Sequence, residues 1–231
     1  METEKTDSLS EIAYRYILEQ IISFTYKPND PILENEICRD LNISRTPLRE
    51  ALRRLEAEGF VTKARNRGTF VRAYTVEDII ESCDIRKLFE VYSLRNCVKN
   101  VSQDELQTVK KELQFLKIDS TPSEYYKTDS DLHNMITRYC MSTRMRLILA
   151  SLSVQLDAFQ KISAQTPNRL LQSKEEHLNI VEAIEKRDLE LATILLESHL
   201  ENVKESSIRA FQKMRIDKIG ILAECVSNEC L

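Results

Sequence analysis

Glycine is nearly absent from this chain: Gly59, Gly68 and Gly220 are the only three in 231 residues, beside five prolines. Sheet-rich and dinucleotide-binding folds use glycine at tight turns and close backbone approaches, so a chain this poor in it is expected to be mainly helical. Its length supplies core for one large or two modest domains. No apolar run approaches the ~18 residues of a membrane span. The opening METEKTDS also lacks a signal peptide's charged-then-apolar plan. A cytoplasmic protein without a membrane partner is expected. Cysteines at 38, 83, 97, 140, 225 and 230 form no CxxC pair and read as reduced thiols, mostly in the core. Nothing nearby completes a metal site for Cys225 and Cys230.

Ser44 to Gly59, SRTPLREALRRLEAEG, organises the first third of the chain. Thr46 is a good N-cap for Pro47, whose fixed φ and missing N–H suit a helix's first turn; Ser44 is the alternative cap. Leu48, Leu52 and Leu55 then fall on one face, and Arg45, Arg49 and Arg53 on another. Gly59 ends the helix. Such an arginine stripe is most often a solvated face, and its neighbours argue otherwise. Upstream, Ile32, Ile37 and Leu41 pattern a short helix through ILENEICRDL, and Asn42-Ile43-Ser44 turns tightly into the arginine helix. That is helix-turn-helix spacing, in which the second helix enters the major groove. Downstream, FVTKARNRGTFVRA reads as a two-stranded hairpin with Gly68 supplying the turn conformation, a wing. Residues 39–72 carry nine Arg or Lys against four acids, a local excess of five positive charges in a chain whose total is −4. A basic surface confined to one region of an acidic protein suits phosphate contacts there.

Before that region, residues 1–8 read as disordered, and Leu9, Ile12, Tyr16, Ile17, Ile21 and Phe24 keep the spacing of a first helix. After it, every segment reads as helix. Thr75-Val76-Glu77-Asp78 starts one that runs to about Asn100. Ser102 with Glu105, and Thr121 with Glu124, are capping-box starts for the next two. A long helix through LILASLSVQLDAFQKI stops near Thr166-Pro167, and a last pair spans about 168–186 and 188–214. Six helices of this length make a bundle able to enclose a cavity. The expected domains are therefore residues 1–73, residues 74–214 and a tail, 215–231.

All three histidines fall in that bundle. Asp129 and His133 lie four apart and share a helix face, while His177 and His199 flank a turn near Arg187-Asp188 at comparable distances. Antiparallel packing of the last two helices would bring these imidazoles to similar heights. Three imidazoles and one carboxylate can hold a divalent ion. Buried, hydrogen-bonded core histidines are the ordinary alternative, and spacing alone leaves both open.

ISRTPLREALRRLEAEGFV followed by RNRGTFV resembles the winged helix-turn-helix of the GntR family of bacterial transcription regulators, over roughly residues 8–73. The resemblance implies double-stranded DNA as partner, contacted by Ser44, Arg45, Thr46 and Arg49 at the helix start. It places Arg67, Gly68 and Thr69 at the wing tip. Arg45 and Arg49 are the candidates for reading bases, since arginine often contacts guanine in bidentate fashion. The chain departs from the pattern at Pro28-Asn29, where relatives often have Pro-Gly, and at Asn35, where many have a basic residue.

Residues from about Thr75 to Ala210 resemble the all-helical FCD effector domain of one large GntR subfamily. Its metal-binding members share an Asp-x-x-x-His, a histidine in E-H-x-x-I-x-x-A-I and a later one in A-x-x-x-x-x-x-H-L. Asp129 with His133, EEHLNIVEAI around His177 and ATILLESHL around His199 fill all four positions. The resemblance therefore implies Asp129, His133, His177 and His199 as ligands of zinc, or of nickel or manganese. It also implies a small organic acid effector, with Arg86 in IRKLFE pairing its carboxylate; the alternative is that Arg86 bonds helix ends or Glu90 instead. Met141-Ser142-Thr143 stands where relatives often have Ser-Gly-Asn, so one polar contact to the effector differs.

The expected whole is a mainly α protein, a winged helix-turn-helix with a small β-hairpin wing followed by an FCD-like bundle, acting as a repressor. One winged helix per half-site is too small for tight specific binding, so a homodimer on a pseudo-palindromic operator is expected. Two other functions compete: a metal-dependent hydrolase built on the Asp/His cluster, and constitutive DNA binding with a purely structural metal. The hydrolase lacks a general base, since no HExxH-type glutamate accompanies a histidine. Glu176 adjoins His177, but neighbouring helical residues face different ways.

Overall fold

The computed structural model describes residues 8–23, 25–65, 67–164, 166 and 168–228. Residues 1–7, Pro167, Cys230 and the side chain of Cys225 lie outside that description, and with them the expectations placed on those positions. The chain divides into two compact units, Met1–Thr75 and Val76–Leu231.

The first unit holds α1 (Leu9–Ile22), β1 (Pro31–Ile32), α2 (Glu34–Asp40), α3 (Arg45–Ala57), β2 (Val61–Ala64) and β3 (Gly68–Val71). Leu48, Ala51, Leu52 and Leu55 form the buried stripe of α3, and α1 packs against it with Ala13, Tyr14 and Ile17 in the core. Tyr14 is doubly engaged: its hydroxyl donates to Glu58 at 2.6 Å, and the Arg54 guanidinium stands 3.7 Å over its ring. The α2–α3 turn places Asn42 at φ 52°, a left-handed position that asparagine tolerates, and Asn29 adopts φ 70° in the same way.

Three details differ from the sequence reading. Ser44, in extended backbone, occupies the N-cap of α3 rather than Thr46, and its side chain makes no capping bond. Pro47 is then the third helical residue, still within the turn whose N–H groups have no intrahelical partner. The helix expected from Ile32 begins only at Glu34, because Pro31 and Ile32 pair with Phe70 and Thr69. An edge strand suits proline, which has no N–H to donate. The wing is therefore part of a three-stranded antiparallel sheet, order β1-β3-β2, and not a free hairpin. Gly68 closes the β2–β3 loop at φ 96°, where Arg67 N–H donates to the Ala64 carbonyl at 3.1 Å.

The second unit is a bundle of six helices: α4 (Val76–Asn100), α5 (Gln103–Phe115), α6 (Pro122–Arg138), α7 (Thr143–Ser163), α8 (Arg169–Glu185) and α9 (Leu189–Asn228). Thr121 caps α6 through a complete capping box, with Glu124 N–H donating to its hydroxyl at 3.3 Å and its own N–H donating to the Glu124 carboxylate at 2.6 Å. Ser102 caps α5 through Glu105 N–H. The α8–α9 turn has Arg187 at φ 58°, and its guanidinium donates to the carbonyls of Val98 and Val101, satisfying the C-terminal end of α4. Leu94, Leu106, Leu132, Ile180, Ile184 and Leu196 are among the fully buried residues of one continuous core drawn from α4, α5, α6, α8 and α9. The last helix runs through Met214 to Asn228, so the expected tail is helical backbone. Gly220 alone, with no proline, does not stop it. Among the described residues no helix is long and apolar enough to cross a membrane.

Candidate metal centre and DNA-facing helix

Helical periodicity turns Asp129 and His133 of α6 to one side, and the tight turn at Arg187 sets α8 and α9 antiparallel so that His177 and His199 meet them. All four side chains are buried, and one ligand atom from each lies within 4.8 Å of the others. His199 Nε2 is 3.2 Å from His133 Nε2 and 3.1 Å from His177 Nε2. Asp129 Oδ1 is 3.3 Å from His177 Nε2 and 3.8 Å from His133 Nε2. Donors in a tetrahedral shell about 2.1 Å from one ion stand about 3.4 Å apart, so this donor set and spacing fit a divalent metal.

Two carboxylates complete the surroundings: the sequence offered Glu90 only as an alternative partner of Arg86 and set Glu176 aside, and neither contact with a histidine was expected. Glu90, on α4 and buried, lies 2.6 Å from His133 Nδ1 through one oxygen and 2.6 Å from Arg86 Nε through the other. Glu176, on α8, lies 2.6 Å from His199 Nδ1 and is gripped by both terminal nitrogens of Arg169. The expectation that Glu176 faces away from its neighbour His177 does not hold: both side chains reach His199, His177 at Nε2 and Glu176 at Nδ1. The only advance signal for Glu90 was its four-residue spacing from Arg86.

Electrostatics favour the protonation states a metal requires. Burial works to raise the Glu90 carboxyl, but His133 and Arg86 bring it down to about 2. Against the same burial, His199 and Arg169 hold Glu176 at about 2. Asp129 is held well below the carboxylate range by His133, His177 and Arg86, although burial opposes this. Burial, reinforced by the other imidazoles, pushes His199 down to about 3, and His177 is lowered chiefly by burial. Ionised carboxylates and neutral imidazoles are the ligand forms.

Arg86 is buried, with Nη2 4.0 Å from Asp129 Oδ2. It lines a cleft of about 490 Å³ that also meets Glu90, Asp129 and His133, with Arg138 and Arg146 on its walls. The metal-fit cluster therefore opens toward a cleft in which Arg86, Arg138 and Arg146 are matched by Glu90, Asp129 and Asp157, rather than being sealed on every side.

In the first unit, Ser44, Arg45, Thr46 and Arg49 are exposed along the start of α3, and Arg67 and Gly68 are exposed at the wing. Thr69 is not: it is 7 % exposed, in the central strand between Ile32 and Lys63. Thr69 therefore does not stand at the wing tip as expected: it lies in the middle strand and lines a cleft with Glu34 of α2 and with Arg49, Leu52 and Arg53 of α3. The two arginines expected to read bases rest on α2. Arg45 donates to Asn35 at 2.9 Å, and Arg49 pairs with Glu34 at 3.3 Å.

Residues 81–202 match the FCD domain, and residues 9–71 match the bacterial regulatory proteins of the gntR family. The chain belongs to the GntR family. It is a DNA-binding transcription regulator of the FCD-bearing kind, and its relatives are regulators and not enzymes, which removes the hydrolase reading. The Nta operon transcriptional regulator of Aminobacter aminovorans is 27% identical to this GntR protein over 190 residues, covering 80% of this chain and 89% of the relative. The HTH-type transcriptional repressor RspR of Escherichia coli K12 is 23% identical over 207 residues, covering 87% and 90%. The Zn2+-bound FCD domain of TM0439 shares the fold of the second unit at a TM-score of 0.54 and 23% identity, over 60% of this chain and 97% of that one.

Proposed function

We propose that this GntR regulator is a repressor whose C-terminal unit holds one divalent ion on Asp129, His133, His177 and His199 and senses a small organic acid in the adjoining cleft. The observation that carries this is the buried four-donor cluster opening onto a cleft lined by Arg86. Zinc suits three imidazoles and a carboxylate, with nickel and manganese as alternatives. When bound, the ion supplies a Lewis-acid anchor for a carboxylate or hydroxy-carboxylate. The chain's own residues do the rest. Arg86 offers guanidinium N–H groups to the acid's other end, and Arg138 and Arg146 are further cations on the cleft walls, which the carboxylate of Asp157 also lines. The name of RspR, a repressor, supports the sign of regulation. The zinc of the TM0439 domain supports the metal.

On DNA, the chain acts in the cytoplasm as a homodimer with one α3 per half-site of a pseudo-palindromic operator, contacted by Ser44, Arg45, Thr46, Arg49, Arg67 and Gly68. The effector regulates only by favouring one arrangement of the two reading heads over the other. Arg45→Ala and Arg49→Ala are each expected to weaken specific binding by about 1–3 kcal/mol and to relax sequence preference at one base pair. Fluorescence anisotropy on operator and scrambled duplexes reads this, and an unchanged operator affinity removes that arginine from the interface. Citrate, malate and lactate, tested on the metal-loaded protein, are the probes for the sensor. One of them is expected to change operator affinity by about 5–150-fold, and EDTA to abolish the change. A response to none of the three, or one that survives metal removal, overturns the metal-anchored effector site.

A further inference from the structure

Resting on the metal reading above, we propose that Glu90 and Glu176 are positioning residues of the centre, in two Arg–Glu–His relays, the first buried and the second half-buried at Glu176, that fix which nitrogen of His133 and His199 faces the ion. In the first relay, Arg86 Nε donates to one oxygen of Glu90, and the other oxygen stands 2.6 Å from His133 Nδ1. In the second, Arg169 donates to both oxygens of Glu176 at 3.2 and 2.9 Å, Asn202 donates to one at 2.9 Å, and His199 Nδ1 stands 2.6 Å from the other. An ionised carboxylate only accepts, so each Nδ1 carries a proton, and a ring that is neutral, the form that binds a metal, then presents its lone pair at Nε2. Those two Nε2 atoms are 3.2 Å apart. With both protons committed to the carboxylates, no hydrogen bond joins the two nitrogens, and a shared cation satisfies both lone pairs.

The charges agree with this. Glu90, Asp129 and the half-buried Glu176 face two guanidiniums, Arg86 and Arg169, around the cluster. One negative charge is left over, and a divalent ion more than offsets it. The relays also differ in place: Glu90 lines the cleft and Glu176 does not. Partners of this kind set tautomer and ring orientation, and their loss typically weakens metal binding by about 10–100-fold.

The test is zinc affinity of the full chain, measured by competition with a chromophoric chelator, for Glu90→Gln and Glu176→Gln. Each is expected to bind zinc about 10–100-fold more weakly at unchanged stoichiometry. Because Glu176→Gln leaves Arg169 buried without its counter-charge, the double variant Arg169→Met/Glu176→Gln is measured beside it and is expected to show the same loss. Nitrogen-15 NMR of the zinc-loaded protein supplies a readout that a packing role would not move. The His199 Nδ1–H resonance is expected to shift in Glu176→Gln while that of His133 stays, and the reverse in Glu90→Gln. Zinc affinities within about twofold of wild type, or resonances that do not respond site by site, overturn the relays while leaving the metal reading intact. A wild-type chain that takes up no zinc overturns both.

Discussion

His177→Ala is expected to take the chain from about one divalent ion to almost none and to remove the ion's contribution to stability. His177 Nε2 stands 3.3 Å from Asp129 and 3.1 Å from His199, so it joins the carboxylate to the imidazoles, and its deletion opens the shell at the centre. An ion that binds the folded state alone stabilises it by about 4 kcal/mol when present at about a thousand times its dissociation constant. For a unit this large that is a rise of ~10 °C in melting temperature. Wild type treated with EDTA is expected to fall by that amount, and His177→Ala to melt at the same temperature with or without the chelator. Elemental analysis on protein purified without a nickel column, together with thermal melts, checks both halves. A variant that keeps one ion per chain takes His177 out of the ligand set. Ion uptake with no EDTA effect on melting separates the metal from the fold.

How far these features were legible in the sequence depends on how local their causes are. The bundle was readable because its boundaries are local. Thr121 closes the full capping box expected of it, and Ser102 makes its own half, accepting from Glu105 N–H while the Glu105 carboxylate turns to Arg138 and Tyr139. One helix period pairs Asp129 with His133 and one antiparallel turn pairs His177 with His199, but spacing left open whether the two pairs meet, and only the FCD resemblance implied that they do. What escaped was non-local. β1 exists only because Pro31 and Ile32 pair with β3 nearly forty positions away, and Thr69, which the wing motif alone put at the tip, lies buried beside Glu34 of α2 and Arg49 of α3. Glu90 reaches His133 across 43 positions, and Glu176 reaches His199 across 23. No periodicity within one helix announces such contacts. The cap of α3 slipped for the opposite reason. Ser44 and Thr46 are both good caps before Pro47, and local preference does not choose between them.

Arg86→Ala is expected to destabilise the metal-free chain by about 3–5 kcal/mol, a larger loss than truncation of an exposed arginine would give. Arg86 is the counter-charge of Glu90, whose side chain is 2% exposed, and it stands 4.0 Å from Asp129. Its removal leaves two buried carboxylates short of a partner in a region that solvates them poorly. Urea unfolding in EDTA measures this, and a loss below about 1 kcal/mol would show that water replaces the guanidinium at no cost. The same geometry bears on the effector. Arg86 Nε is committed to Glu90, so an incoming carboxylate has only the terminal nitrogens to accept from. Arg86→Lys separates the two roles. It keeps a charge near Glu90 but loses the planar fork, so it is expected to retain most of the stability while the response to an organic acid weakens. If the lysine variant responds to the acid as wild type does, the arginine serves Glu90 alone, and the effector's carboxylate is held by the ion and by Arg138 or Arg146 instead.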